Sequence, residues 1–320
     1  MDYSVIFATL GFLLAAYSVI GNDSVQTLGT FIASNTRIFK WYWLWLATGT
    51  VLVATLSVGW YLNDGDISYG RLNQIPYEPI QWYHVMAPLI LVLLTRVGIP
   101  VSTTFLVLSA FASTVVLESM LIKSIIGYGL SAMVAYAVWL GLSRLINERY
   151  NKVRAEHRLF WRVAQWCSTG ALWFAWLAHD MANIAVFLPR QIPLDMLIGC
   201  LAVLLFWLAV IFKTSGGKIQ QIVLTKTGSR FMRSATIIDF VYAALLFFFM
   251  VMNDIPMSTT WVFVGLLSGR ELAIATVNRE QYKFNYVFPI IGKDFLKMMI
   301  GLAVSVALVL SIHYLIDPVQ

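Results

Sequence analysis

Apolar runs long enough to cross a bilayer recur along this chain, and they decide most of what it can fold into. Apolar segments fall at 3–21, 41–62, 80–97, 105–117 and 124–143, then at 160–178, 194–212, 235–252, 261–268 and 298–316. A helix needs about 20 apolar residues to span the hydrocarbon layer. Backbone at that depth must satisfy its own hydrogen bonds, so the spans are helical. Only 12% of the chain is charged and 59% is apolar, against about 25% charged residues in soluble domains. The expectation is an all-α polytopic membrane protein. Asp2 stands where a signal peptide would carry basic residues, and the first run is long; it reads as a first helix rather than a cleaved leader. Cys167 and Cys200 match no metal or disulfide spacing and are expected to be small buried hydrophobes.

The segments at 105–117 and 261–268 are too short to cross alone. Each follows one copy of a repeated motif, Pro100-Val101-Ser102-Thr103-Thr104 and Pro256-Met257-Ser258-Thr259-Thr260, with the two prolines 156 residues apart. Asn22-Asp23 and His179-Asp180 share nearly that offset, their aspartates 157 apart. A loop pair agrees with it as well: Gly65-Asp66-Ile67 against Gly217-Lys218-Ile219. These registers predict two repeats, 1–147 and 159–320, joined by a cytoplasmic linker at 148–158. With about five crossings each, the second copy enters the membrane upside down. The basic residues agree. With the linker inside and both termini extracytoplasmic, 19 lysines and arginines fall inside and only Arg71, Lys123 and Arg190 outside, a strong positive-inside bias. The net charge of +6 is thereby a topology signal, and no nucleic-acid partner is implied. Trp41, Trp43, Trp60, Trp82 and Trp161 lie near span ends, where indoles favour the interface. Inverted repeats with broken or re-entrant helices are the architecture of secondary transporters.

The polar clusters carry the chemistry. Proline suits a break or a helix start, and Ser102 and Ser258 are then natural N-caps. The turn that follows offers free N–H groups, two threonine hydroxyls and the positive end of a helix dipole, which together cradle an anion. Asp23 and Asp180 each end an apolar stretch, and an ionisable group at that depth points to function. With the amides of Asn22, Gln26 and Asn183 they supply oxygen ligands for a hard cation. Neither Ser-Thr-Thr cluster contains a lysine or arginine; Arg96 and Arg270 are six and ten residues away and read as span-end residues. An oxyanion beside two carboxylates is then disfavoured unless cations join it, which predicts cation–anion symport. Asp239 and His84 sit within apolar runs, where interhelical hydrogen bonds suffice to explain them. Glu271 beside Arg270 reads as an ion pair.

At these residues the chain resembles the inorganic phosphate transporter (PiT) family of sodium- or proton-coupled phosphate symporters. The residues that carry the resemblance are Gly21-Asn22-Asp23-Ser24-Val25-Gln26, Gly98-Ile99-Pro100-Val101-Ser102-Thr103-Thr104, Ala178-His179-Asp180-Met181-Ala182-Asn183 and Ile255-Pro256-Met257-Ser258-Thr259-Thr260. The resemblance implies that Ser102, Thr103, Thr104, Ser258, Thr259 and Thr260 bind phosphate and that Asn22, Asp23, Asp180 and Asn183 bind Na⁺. The chain departs from the family at His179 and Gln26, which replace asparagines, and at Phe105 and Trp261, which replace histidines. His179 titrates near neutral pH in its ordinary state, so it and Gln26 are candidates for a proton-coupling role.

The expected function is Na⁺-coupled phosphate symport by alternating access, one repeat rocking against the other, in the plasma or bacterial inner membrane. Membrane lipids and a second copy, as a homodimer, are the expected partners, and no cofactor besides the coupling ion is required. Proton coupling, sulfate or another oxyanion, and a non-transporting membrane interaction protein stay open as alternatives. An enzyme is not supported, because no nucleophile or metal-ligand set stands at a suitable spacing.

Overall fold

The computed structural model describes residues 3–97, 101–142, 157–214, 232–252, 256–277 and 284–312. Among these the chain is all-helical. In the first half α1 is Ser4–Asn35, α2 Trp41–Leu62, a 3-10 turn follows at Trp82–Val85, and then α3 Met86–Val97, α4 Thr103–Leu108 and α5 Thr114–Gly141. In the second half α6 is Arg158–Asp180, α7 Ala182–Ala185, α8 Leu194–Lys213, α9 Met232–Met252, α10 Thr259–Val277 and α11 Phe284–Ser311. Seven of these helices are long and apolar enough to cross a membrane: α1, α2, α5, α8, α9, α10 and α11. The chain is an integral, multi-pass membrane protein. Most of the expected linker, residue Pro100 and the Gly217-Lys218-Ile219 loop lie outside the described residues.

Several sequence expectations need correction. By hydropathy the first apolar segment spans 3–21, but the helix runs on past Asp23 to Asn35. The polar residues that broke the apolar run (Asn22, Asp23, Ser24, Gln26, Thr27, Thr30) are all buried, so they face protein rather than lipid and give the helix no reason to stop. The segment 105–117 is two elements. α4 ends at Leu108 and α5 starts at Thr114, with Ser113 accepting a hydrogen bond from the Val116 N–H at 3.5 Å as N-cap. The segment 261–268 is no half-helix, because α10 continues through Ser268-Gly269-Arg270 to Val277. Those residues lower the hydropathy but are buried. Cys200 is buried as expected, whereas Cys167 is exposed.

Helix packing comes in reciprocal sets. α1 packs on α3 as α6 packs on α9; α2 packs on α6 as α8 packs on α1; α5 packs on α10 as α11 packs on α4. The members of each set follow one another in the same order in the two halves, with α4 and α10 starting 156 residues apart and α5 and α11 starting 170 apart. α2 and α8 meet each other, with the Trp45 indole donating to the Leu205 carbonyl at 3.0 Å. Trp173 and Trp176 stack at 4.9 Å in the core, and Trp173 donates to the Thr48 carbonyl at 3.1 Å, tying α6 to α2.

α5 and α10 pack backbone against backbone. Gly265 and Gly269, four residues apart, turn one face of α10 toward α5. A Cβ at Gly265 would overlap Ser131 Oγ and the Tyr128 carbonyl, and one at Gly269 the Ala132 carbonyl. Small residues at this spacing let membrane helices approach backbone to backbone. The loop after α2 is fastened to the loop before α8: Ile192 N–H donates to the Gly65 carbonyl at 3.0 Å and Trp60 Nε1 to the Ile192 carbonyl at 2.7 Å. Gly65, at φ 97°, lies where a side chain would run into the Ile192 backbone, so only glycine suits the approach.

Candidate functional site

The four polar clusters converge. α1 brings Asn22, Asp23, Ser24 and Gln26 to its middle; the end of α6 and the short α7 bring Asp180 and Asn183. The two Ser-Thr-Thr motifs open α4 and α10 against them. Each of these side chains is buried. Ser102 Oγ accepts from the Phe105 N–H at 3.2 Å and Ser258 Oγ from the Trp261 N–H at 3.3 Å, so both serines are the N-caps that the motif predicts. The helix starts themselves differ: α10 has 19 residues and α4 only six. The dipole invoked for two matching cradles belongs mainly to α10.

The contacts repeat themselves across the two halves. Thr103 Oγ1 donates to Asp23 Oδ2 at 2.8 Å, and Thr259 Oγ1 donates to Asp180 Oδ2. Gln26 Nε2 donates to Thr260 Oγ1 at 3.3 Å, and Asn183 Nδ2 to Thr104 Oγ1 at 3.4 Å. Thr260 Oγ1 lies 3.4 Å from the Val101 carbonyl, and Thr104 Oγ1 lies 3.4 Å from that of Met257. Gln26 thereby occupies the role that Asn183 has in the other half, its longer side chain making the same bond. Further links knit the site: Asn22 Nδ2 to Asp23 Oδ1 at 2.6 Å, Asn183 Nδ2 to Thr103 Oγ1 at 3.1 Å and Thr104 Oγ1 to Asp180 Oδ1 at 3.4 Å. The Phe105 and Trp261 rings, which follow the two motifs, meet each other at 5.7 Å.

Two oxygens in this cluster, Ser24 Oγ and Asn183 Oδ1, are buried without a hydrogen-bond partner. Leaving a buried acceptor unmet costs about 1–3 kcal/mol, and such atoms ordinarily have a ligand or water. Asn183, with two carboxylates and threonine hydroxyls, belongs to an all-oxygen donor set of the kind that suits a hard cation. The residues fit Na⁺ in composition.

His179 is not brought into this cluster. Its Nε2 is 2.9 Å from the Leu246 carbonyl on α9, which fixes the proton on that nitrogen. Asp239, on α9, accepts from Thr30 at 2.7 Å and Thr169 at 2.6 Å, the interhelical bonds expected of it. Arg270 pairs with Glu271 at 2.8 Å. Sequence reasoning missed two residues. Tyr242 on α9 is fully buried and donates its hydroxyl to the Thr259 carbonyl at 3.0 Å; a tyrosine in the middle of an apolar run was the available signal. Arg71, read only as one of three basic residues on the outer side, is buried, with Nε donating to the Ala178 carbonyl at 3.2 Å. Nothing in the local sequence marks it, because the fold of its loop carries it inward.

No protein-family model matches the chain, and no curated protein matches its sequence. Its structure matches one described as "The sodium-dependent phosphate transporter", with a TM-score of 0.65 over 99% of this chain and 100% of that one, at 15% identity. The two chains share one fold. The likeness read from four short motifs therefore extends to the arrangement of the whole chain, while at this identity it speaks for architecture alone.

Proposed function

We propose that this chain is a secondary transporter that symports inorganic phosphate with Na⁺ by alternating access, through a site built from two inverted repeats, 1–147 and 159–320. The observation that carries the proposal is the mirrored pair of bonds from Thr103 to Asp23 and from Thr259 to Asp180. Each links the first threonine of a Ser-Thr-Thr motif to the carboxylate of its own half. Ser102, Thr103, Thr104, Ser258, Thr259 and Thr260 hold phosphate through hydroxyls and helix-start N–H groups. Asp23 and Asp180, with Asn22 and Asn183, hold the cation. The orphaned Asn183 Oδ1 supports this, as does Gln26, which supplies the matching amide in the first half. A phosphate dianion among two buried carboxylates is repelled by several kcal/mol per charge at the distances of such a cluster, so the anion binds only with its counter-ion. Sodium and phosphate, rather than a proton or sulfate, are favoured by the structural neighbour's description and by the all-oxygen donor set.

The units that move are not the two sequence halves. α5 of the first half is packed backbone-close on α10 of the second, and α11 of the second on α4 of the first. Rocking one half against the other would tear both contacts, so each moving unit draws helices from both repeats.

The test is uptake of labelled phosphate into proteoliposomes of purified protein. An inward Na⁺ gradient drives uptake, excess sulfate leaves it in place, and Ser102→Ala lowers it without lowering the amount of protein inserted. Uptake indifferent to Na⁺, or blocked equally by sulfate, would overturn the assignment.

A further inference from the structure

The second Ser-Thr-Thr motif is held from behind by a neighbouring helix. Ser124, on α5, is fully buried, and its Oγ accepts from the Ser258 N–H at 2.9 Å. The same hydroxyl donates to the Met120 carbonyl, one turn back on α5, at 2.7 Å. Its single hydrogen is thereby committed to its own helix, which leaves a lone pair for the start of α10. The residue before Ser258 is held by the same face of α5: a Cβ at Gly127 would overlap the buried Met257 side chain. Further along that face Ser131 lies against Gly265, but its hydroxyl turns back to the Tyr128 carbonyl of its own helix at 2.9 Å. Much of the site depends on where Ser258 sits. Its Oγ caps the Trp261 N–H, the next residue, Thr259, donates to Asp180, and Thr260 accepts from Gln26. The Met257 carbonyl lies 3.4 Å from Thr104 Oγ1 of the other motif. The first N–H groups of a helix have no partner inside it. A buried N–H left unmet is costly, so a helix start that loses such an anchor is driven to move.

We propose that Ser124 is a positioning residue for phosphate: through the Ser258 N–H it fixes the start of α10 where Thr259 and Thr260 meet Asp180 and Gln26. This rests on the phosphate-transport function proposed above.

The experiment is uptake of labelled inorganic phosphate into proteoliposomes of the full chain at saturating Na⁺, with initial rates normalised to inserted protein and split into KM and maximal rate. Ser124→Ala should raise the KM for phosphate roughly tenfold and leave the maximal rate within about twofold of wild type. Ser131→Ala makes the same deletion on the same helix face and should leave KM unchanged. A serine that only helps to hold the helices together predicts a lower maximal rate with KM unchanged, because fewer molecules work and those that do bind normally. That result overturns the proposal. A KM raised equally in Ser131→Ala overturns it too, since packing of α5 on α10 in general would then be the cause. Ser124→Cys keeps the shape of the side chain but accepts a hydrogen bond weakly; it should raise KM as well, and an unchanged KM there overturns the proposal even if Ser124→Ala does not insert. Absence of uptake by the wild type at every Na⁺ concentration is a different failure: it removes the transport function itself and this proposal with it.

Discussion

Gly269→Ala is the smallest change that tests whether the α5–α10 contact sets the site. The added Cβ overlaps the Ala132 carbonyl oxygen and lies 2.8 Å from its carbon and 2.9 Å from Ala132 Cα. Those atoms belong to a helical backbone and cannot swing away as a side chain tip can. Overpacking of this kind costs about 1–3 kcal/mol. The exchange also gains about 1 kcal/mol of helix propensity, so the sum is a loss of up to ~2 kcal/mol. Gly292→Ala is the matched control: it is helical, and nothing stands within 4 Å of its Cβ. There the propensity gain of about 1 kcal/mol acts alone. Thermal unfolding in detergent should therefore shift down for Gly269→Ala and up for Gly292→Ala. α10 also carries Thr259 at its start, ten residues and about 15 Å of helix away. Displacing α10 from α5 loosens the Thr259 bond to Asp180, a charge-assisted bond of about 1.5–3 kcal/mol. Phosphate binding should weaken for Gly269→Ala by roughly tenfold and stay unchanged for Gly292→Ala. If both variants move in the same direction, or Gly269→Ala binds as wild type does, backbone contact between these helices does not position the site.

Other perturbations probe the site directly. Asp23→Asn removes the carboxylate proposed to hold the cation and should flatten the dependence of uptake on Na⁺; an intact dependence would mean the cation sits elsewhere. Thr103→Val and Thr259→Val each delete one of the mirrored bonds to carboxylate, so each should weaken phosphate binding by roughly 10- to 100-fold. A large effect from only one of the two would break their equivalence. His179→Gln keeps an N–H donor for the Leu246 carbonyl and should leave the pH profile of uptake where it is in wild type. A displaced profile would restore His179 to a proton-coupling role.

What sequence could tell here divides along physical lines. Bilayer crossing by helices follows from hydropathy, and the matched offsets of four motifs pointed to their meeting, because a duplicated fold would put equal residues in equivalent places. Helix ends were the weak point. Asn22-Asp23 and Ser268-Gly269-Arg270 look like boundaries by hydropathy, yet both lie inside helices, since a polar face is tolerated wherever it meets protein instead of lipid. The glycine pair on α10 was present in the sequence but acquires meaning only from the carbonyls of α5 opposite it. Arg71 is the clearest case of information that the chain hides. Its inward course follows a turn in which the Asp66 carboxylate accepts from the Ser68 and Gly70 N–H groups and Tyr69 and Gly70 take left-handed φ, none of which distinguishes it locally from a solvated loop arginine.

The helix starts depart from two-fold equivalence, six residues against 19. Two equivalent repeats facing each other would bind the same ion twice. Under the symport proposed above, the half with the long helix dipole, around Thr259, would need less help from solution to hold an anion, and the half with the short helix, around Asp23, would depend more on a cation that arrives with the substrate. This division predicts that changes at Asp23 alter the sodium requirement of transport, while changes at Thr260 alter phosphate affinity at saturating sodium.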